Sequence, residues 1–213
     1  MYKKQKRMII DAALEIKKSG LVSLSGGNVS MRVGEHILVT PSGTSYETMK
    51  ERDVVVVDIK GNRIEGTMRE SVDTVALLYI YEQMPEVNAI IHTHQPYATA
   101  AGLIGDVLPA AVTTLANVTL GEVNVAPYCS AASLDMGVQT VKHIGERRAV
   151  ILKHHGVITV GRDLKEALYA AVYMEDAAKT YLAAKAAGET AIMTQEQTLD
   201  AVEIHKTYGQ KHK

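Results

Sequence analysis

Two short apolar runs, Ala89-Ile90-Ile91 and Ala149-Val150-Ile151-Leu152, constrain this chain more than any other feature, because both lead directly toward histidine. Such runs, partly β-branched and without polar alternation, read as strands buried in a sheet. The first continues as His92-Thr93-His94. Side chains two apart on a strand share a face, so His92 and His94 present two imidazoles to one side. The second continues as Lys153-His154-His155-Gly156 before Val157-Ile158-Thr159-Val160 resumes, and Gly156 is expected to let the backbone turn tightly. Together the two strand ends supply three neutral imidazoles, His92, His94 and His155, with coordination positions left open. That is the arrangement of a catalytic rather than a structural zinc. Each histidine alone also has an ordinary reading as a hydrogen-bonded group at a strand end, and for His154 that reading is preferred.

The 213 residues predict a single domain spanning 1–213 with a sizeable core. A net charge of −1 removes the electrostatic case for nucleic acid or an anionic membrane surface. The one basic cluster, Lys3, Lys4, Lys6 and Arg7, is expected on the solvated face of a first helix. The single cysteine, Cys129, excludes an internal disulfide and reads as a packed thiol in a reducing compartment. No apolar run has the length of a signal peptide or a membrane span, so the expected location is cytoplasmic.

In chain order, residues 5–19 carry a helical stripe of Met8, Ile9, Ala12, Ala13 and Ile16, closed by Gly20. Ser25-Gly26-Gly27-Asn28-Val29-Ser30 is a turn-forming loop, and the strand His36–Thr40 ends in Pro41-Ser42-Gly43-Thr44. Two glycine-rich loops with hydroxyl and amide side chains can converge on an oxyanion, although plain turn chemistry explains either one alone. Val54–Ile59 and a short return across Lys60-Gly61-Asn62-Arg63 suggest a hairpin. Ser71–Gln83 is helical by pattern, with Ser71 as N-cap, Val75, Leu78 and Tyr79 on one side, and Asp73 in the first turn complementing the helix dipole. Pro96–Ile104 is a short helix, Pro109–Thr114 extended, Val123–Ala126 a strand, and residues 132–146 a helix. Asp163 caps an Ala-rich helix reaching Ala187, and Glu196–His205 forms another. Several strands come as neighbouring pairs. The expected fold is therefore α/β, with a central mixed, mostly antiparallel sheet flanked by helices.

On Gly27-Asn28-Val29-Ser30, Pro41-Ser42-Gly43, Ser71-Val72-Asp73, His92-Thr93-His94, His154-His155-Gly156 and Lys206-Thr207-Tyr208-Gly209, the chain resembles the class II aldolase family. That family includes L-fuculose-phosphate aldolase and L-ribulose-5-phosphate 4-epimerase, and the similarity covers nearly the whole chain. The resemblance implies that His92, His94 and His155 bind Zn2+, one ion per subunit. It implies that Asn28, Ser42, Gly43 and Ser71 hold a substrate phosphate and that Asp73 is an acid/base beside the metal. Tyr208 matches a tyrosine that reaches a neighbouring subunit's site in cyclic tetramers.

Three departures bear on the activity that the resemblance implies. The acidic residue is Asp73, as in the epimerase branch, where the aldolases usually carry Glu. Val72 replaces a second serine of the phosphate motif. Thr113 replaces a tyrosine that some aldolases place at the approach to the site, which leaves Tyr208 as the candidate proton donor. The epimerase branch, for its part, has Asp where this chain has Asn117 and His where it has Leu115. These features point to cleavage of a ketose 1-phosphate such as L-fuculose 1-phosphate to dihydroxyacetone phosphate and L-lactaldehyde. The alternatives are a 4-epimerase acting on a pentulose 5-phosphate and a catalytically silent zinc or sugar-phosphate binding protein.

Overall fold

The histidine-tipped runs form the middle of a nine-stranded mixed sheet in the computed structural model, which describes residues 1–207. The strands are β1 (Asn28–Val33), β2 (His36–Val39), β3 (Val55–Asp58), β4 (Arg63–Glu65), β5 (Ala89–Thr93), β6 (Val107–Leu108), β7 (Val123–Ala126), β8 (Ala149–Leu152) and β9 (Gly156–Gly161). Across the sheet the order is β4-β3-β2-β1-β5-β9-β8-β7-β6, and only the β7–β8 pair is parallel. Among the described residues seven α-helices flank it: α1 (Lys3–Lys18), α2 (Thr74–Gln83), α3 (Pro96–Ile104), α4 (Thr113–Thr119), α5 (Leu134–Ile144), α6 (Leu164–Ala187) and α7 (Gln195–His205). None of them is long and apolar enough to cross a membrane.

Strand alternation distributes the core between two faces. Ile90, Val150, Leu152 and Ile158 pack against Ala76, Leu77 and Ile80 of α2 and Met136 of α5. Their neighbours Ala89 and Ile91 pack on the other face against Ile9, Ala13 and Ile16 of α1 and Ala167 and Ala171 of α6. Ile151 and Val157 continue that second face onto Ala98 of α3 and Met174 of α6. Ile90 and Ile91 are completely buried, and each such side chain stabilises the fold by about 1.5–3 kcal/mol. A strand covered on both sides explains why β5 is apolar without alternation.

The end of α1 matches the sequence expectation. Gly20 adopts φ 71°, its N–H reaches Lys17 O, and the Leu21 N–H reaches Ile16 O, the paired bonds of a left-handed C-terminal cap. Five other expectations are corrected. Met8 is exposed, whereas Lys6 is buried to 2% exposure because its ammonium pairs with Glu65 at 2.9 Å. Helix α2 starts at Thr74, since Thr74 N and Oγ1 both bond Ser71 O and close a turn ahead of it, and Asp73 stands at the N-cap. Its buried side is Ala76, Leu77, Ile80 and Tyr81, with Val75 outside. Finally, the extended segment stops at Val112, where α4 begins and buries Leu115, Ala116 and Val118.

Candidate active site

Register along β5 assembles the site. His92 pairs with Asn28 of β1 on one side and with Ile158 of β9 on the other. It lies on the same face as Ile90, the face covered by α2, and the start of α2 carries Asp73. The β8–β9 hairpin delivers His155 beside it. The residue in the left-handed region of that turn is His154 (φ 62°). Gly156 is needed for a different reason from the one its sequence position suggests: a Cβ there would sit 2.2 Å from Thr93 O and 3.1 Å from His94 Cδ2. Gly27 is similarly constrained, with φ 71° and a Cβ position 2.4 Å from His92 O.

The three imidazoles meet. One ligand nitrogen from each of His92, His94 and His155 lies within 4.8 Å of the others, and the Nε2 atoms of His92 and His94 are 3.1 Å apart. His92 Nδ1 faces Val157 O at 2.9 Å, so Nδ1 carries the proton and Nε2 presents its lone pair to the cluster. Burial pushes the His92 pKa down to about 3, with His155 and His94 adding to the effect. Burial likewise lowers His94, and burial followed by the proximity of His94 lowers His155. Three neutral imidazoles whose nitrogens converge suit a divalent transition metal. Tetrahedral zinc at a Zn–N distance of about 2.1 Å needs nitrogens about 3.4 Å apart, close to the His92–His94 separation.

Asp73 stands next to this cluster and is buried, with Oδ2 4.0 Å from His92 Nε2. Two donors hold its carboxylate: Asn28 Nδ2 to Oδ2 at 2.9 Å and the Ala132 N–H to Oδ1 at 3.1 Å. Its own side chain therefore makes no cap bond to α2. Ala132 reaches it from a left-handed conformation (φ 57°), which costs a non-glycine residue about 1–2 kcal/mol. The sequence gives no hint of this contact, because an alanine contributing only its backbone leaves no chemical signature.

The residues expected to hold a phosphate adjoin Asp73 as well. Ser42 N bonds Arg69 O, Ser71 N bonds Thr40 O, and Pro41 bridges to Glu70, which lays the Ser42-Gly43 turn against Ser71. Those two N–H groups are thus engaged in joining the loops, and the serine hydroxyls are the donors left at these positions. Ser71 Oγ accepts the Asp73 N–H at 3.4 Å and keeps its own proton to give. Gly43 is exposed with φ 66°. Tyr208 lies outside the described residues.

Adding a methyl at Gly156 forces it into a strand carbonyl that cannot rotate away. Gly156→Ala is expected to destabilise the protein by about 3 kcal/mol. For a chain of this size that is a fall in Tm of roughly 6–12 °C, read by thermal unfolding. An unchanged Tm would show that β9 and β5 have slack the geometry does not reveal.

The model of the family described as Class II Aldolase and Adducin N-terminal domain matches residues 7–182. L-ribulose-5-phosphate 4-epimerase UlaF of Salmonella paratyphi C (strain RKS4594) is 34% identical over 189 residues, covering 83% of each chain. Among solved structures, an L-fuculose 1-phosphate aldolase superposes with a TM-score of 0.90 at 32% identity, over 94% of this chain and 95% of its own. The L-fuculose-1-phosphate aldolase from Thermus thermophilus, at 24% identity and TM-score 0.76 over 86% and 96% of the two chains, shares the fold.

Proposed function

The chain belongs to the class II aldolase family, a family of metal-dependent lyases and epimerases, and from that premise we propose that it is a zinc-dependent aldolase. The reaction assigned is reversible cleavage of L-fuculose 1-phosphate, or a related ketose 1-phosphate, to dihydroxyacetone phosphate and L-lactaldehyde. The observation that carries this reading is a carboxylate, Asp73, fixed by two donors beside three converging neutral imidazoles.

His92, His94 and His155 would hold the cation, which when bound supplies the positive charge that stabilises electrons left on the carbonyl fragment as the carbon–carbon bond breaks. Ser42, Gly43 and Ser71, together with Asn28, would bind the phosphate and so fix the register of the reacting carbons. Asp73 returns a proton to the carbon that becomes the hydroxymethyl group of dihydroxyacetone phosphate, and removes it in the synthetic direction. Tyr208, by its match to the family, handles the proton on the oxygen that becomes the aldehyde. We read residues 1–213 as one domain and the working enzyme as a cytoplasmic homotetramer whose sites lie between subunits.

The UlaF relative favours a second reading, 4-epimerisation of L-ribulose 5-phosphate, which breaks and re-forms the same kind of bond. Two side chains weigh against it. Leu115, where the epimerase branch has His, is packed in the core at 1% exposure. Asn117, where that branch has Asp, has its amide nitrogen, oriented by its hydrogen bonds, donating to Thr113 O at 3.0 Å and Ala201 O at 2.7 Å. Neither offers a proton carrier.

A coupled assay that reduces released dihydroxyacetone phosphate with NADH decides between the two. L-fuculose 1-phosphate is expected to drive NADH oxidation, and exhaustive chelation to stop it. Conversion of L-ribulose 5-phosphate to its 4-epimer without triose phosphate would establish the epimerase instead.

A further inference from the structure

Helix α6 is rich in alanine, and Ala167, Ala170, Ala171, Met174, Ala177 and Ala178 form its buried side. Glu175 lies among them at 8% exposure. A carboxylate in such a place needs compensating partners, because desolvation of an unpaired charge is expensive. The partners here are not cations. Glu175 Oε1 accepts the Tyr97 N–H at 2.8 Å, and Oε2 accepts the Ala98 N–H at 2.9 Å with Gln95 Nε2 at 3.5 Å. Tyr97 and Ala98 are the second and third residues of α3, where N–H groups have no partner within the helix and the dipole is positive.

A helix usually receives this cap from its own N-cap side chain. In α3 that residue is Gln95, and it makes no such bond. Its fully buried side chain instead accepts from Thr93 Oγ1 at 2.7 Å and donates to Ala171 O of α6 at 2.8 Å. The residue between Thr93 and Gln95 is His94. It lies one position beyond β5, is the most exposed of the three histidines, and receives no strand pairing of its own. Its backbone N–H bonds Leu21 O. The segment that follows His94 is thus tied to α6 twice, by Gln95 through its side chain and by Glu175 through the first turn of α3.

We propose that Glu175 is a positioning residue for the metal site: by capping α3 from a second helix, it sets where His94 presents its imidazole. The inference rests on the reading of the three histidines as ligands. Partners that orient ligands without touching metal typically change affinity by about 10–100-fold when removed. Glu175→Gln keeps the shape but turns an amide N–H toward backbone donors.

The test is competition with a chromophoric chelator for Zn2+, together with the visible spectrum of the Co2+-loaded protein. Glu175→Gln is expected to bind Zn2+ about tenfold more weakly and to change the Co2+ band that reports ligand geometry. The control is Glu166→Gln, which removes another carboxylate of α6, paired with Arg148 at 3.1 Å, and should leave both readouts as in the parent. If Glu175→Gln does not fold, Glu175→Asp is measured in its place; it keeps the charge but withdraws it from α3, so the same shifts are expected. Zn2+ affinity and Co2+ spectrum equal to the parent in the variant that folds overturn the proposal. A parent that binds no Zn2+ overturns the ligand reading, and this inference with it, a result the chelator titration distinguishes from the first.

Discussion

His92→Ala is expected to leave a folded protein that does not retain a divalent metal and cleaves its ketose phosphate about a thousandfold more slowly, several kcal/mol of lost charge stabilisation. As a ligand, His92 would be the hardest of the three histidines to replace. It is 1% exposed, its Nδ1 is committed to Val157 O, and its Nε2 points at His94. The strand pairs that hold its backbone, with Asn28 and Ile158, do not depend on the ring, so the sheet survives the change. Metal analysis after dialysis reads the first effect and the triose phosphate assay the second. Full metal occupancy in the variant would refute the ligand assignment. The same residue governs a pH effect. Burial holds His92 near 3, below its ordinary 6.5, so the folded metal-stripped protein refuses a proton that the unfolded chain accepts. Stability from this source is complete above about 6.5 and is lost as pH falls toward 3. His92→Ala should flatten that part of the stability–pH curve, measured by denaturant unfolding of chelated protein.

The parts of this molecule legible in its sequence are those in which one residue type has one physical meaning. Apolar β-branched runs marked the strands, and the alternation of β5, carried one residue past its end, brings His94 to the side of His92. The ends of α1 and α6 were marked by Gly20 and Asp163, residues whose capping chemistry is local. What was not legible depends on partners far away in the chain. Thr113 and Thr114 open helix α4 but are β-branched and read as the end of the extended run from Pro109, yet Leu115, Ala116 and Val118 reward a helix with burial. Helix α2 is apolar nearly all round, so no moment distinguishes Val75 from Leu77. Lys6 sits in a run of cations and looks solvated until Glu65, 59 residues later, is brought beside it. Glu175 did leave a trace, an acidic residue at a core position of an alanine-rich helix, but only the fold shows that it caps α3. At the site, spacing located the histidines. That Asp73 answers to Asn28 and Ala132 rather than to the dipole of its own helix required the tertiary contact.

Asp73→Asn is expected to keep metal within a few-fold of the parent while kcat falls by about 10²–10⁴, the range that one general acid/base contributes. The amide matches the carboxylate in shape but not in hydrogen-bond polarity. Asn28 Nδ2 and the Ala132 N–H both donate to Asp73, and an asparagine has one oxygen with which to answer two donors. One donor is therefore left facing an NH2 group, and the variant should also lose about 1–3 kcal/mol of stability. The two losses can be separated. In the double variant Asn28→Asp with Asp73→Asn, the amide and the acid exchange places, so the pair between them is restored with donor and acceptor reversed. Thermal unfolding should then recover part of the lost stability. Turnover should not recover, because the carboxylate now projects from β1 opposite His92 instead of from the start of α2, and stands at a position assigned to the substrate phosphate. Asp73→Glu keeps a carboxylate on α2, the residue the aldolases usually carry, and should retain more activity than either. A double variant as active as the parent would mean that the site needs a negative charge in the neighbourhood and not a proton carrier at that place. Parental kcat in Asp73→Asn alone would remove Asp73 from the chemistry altogether.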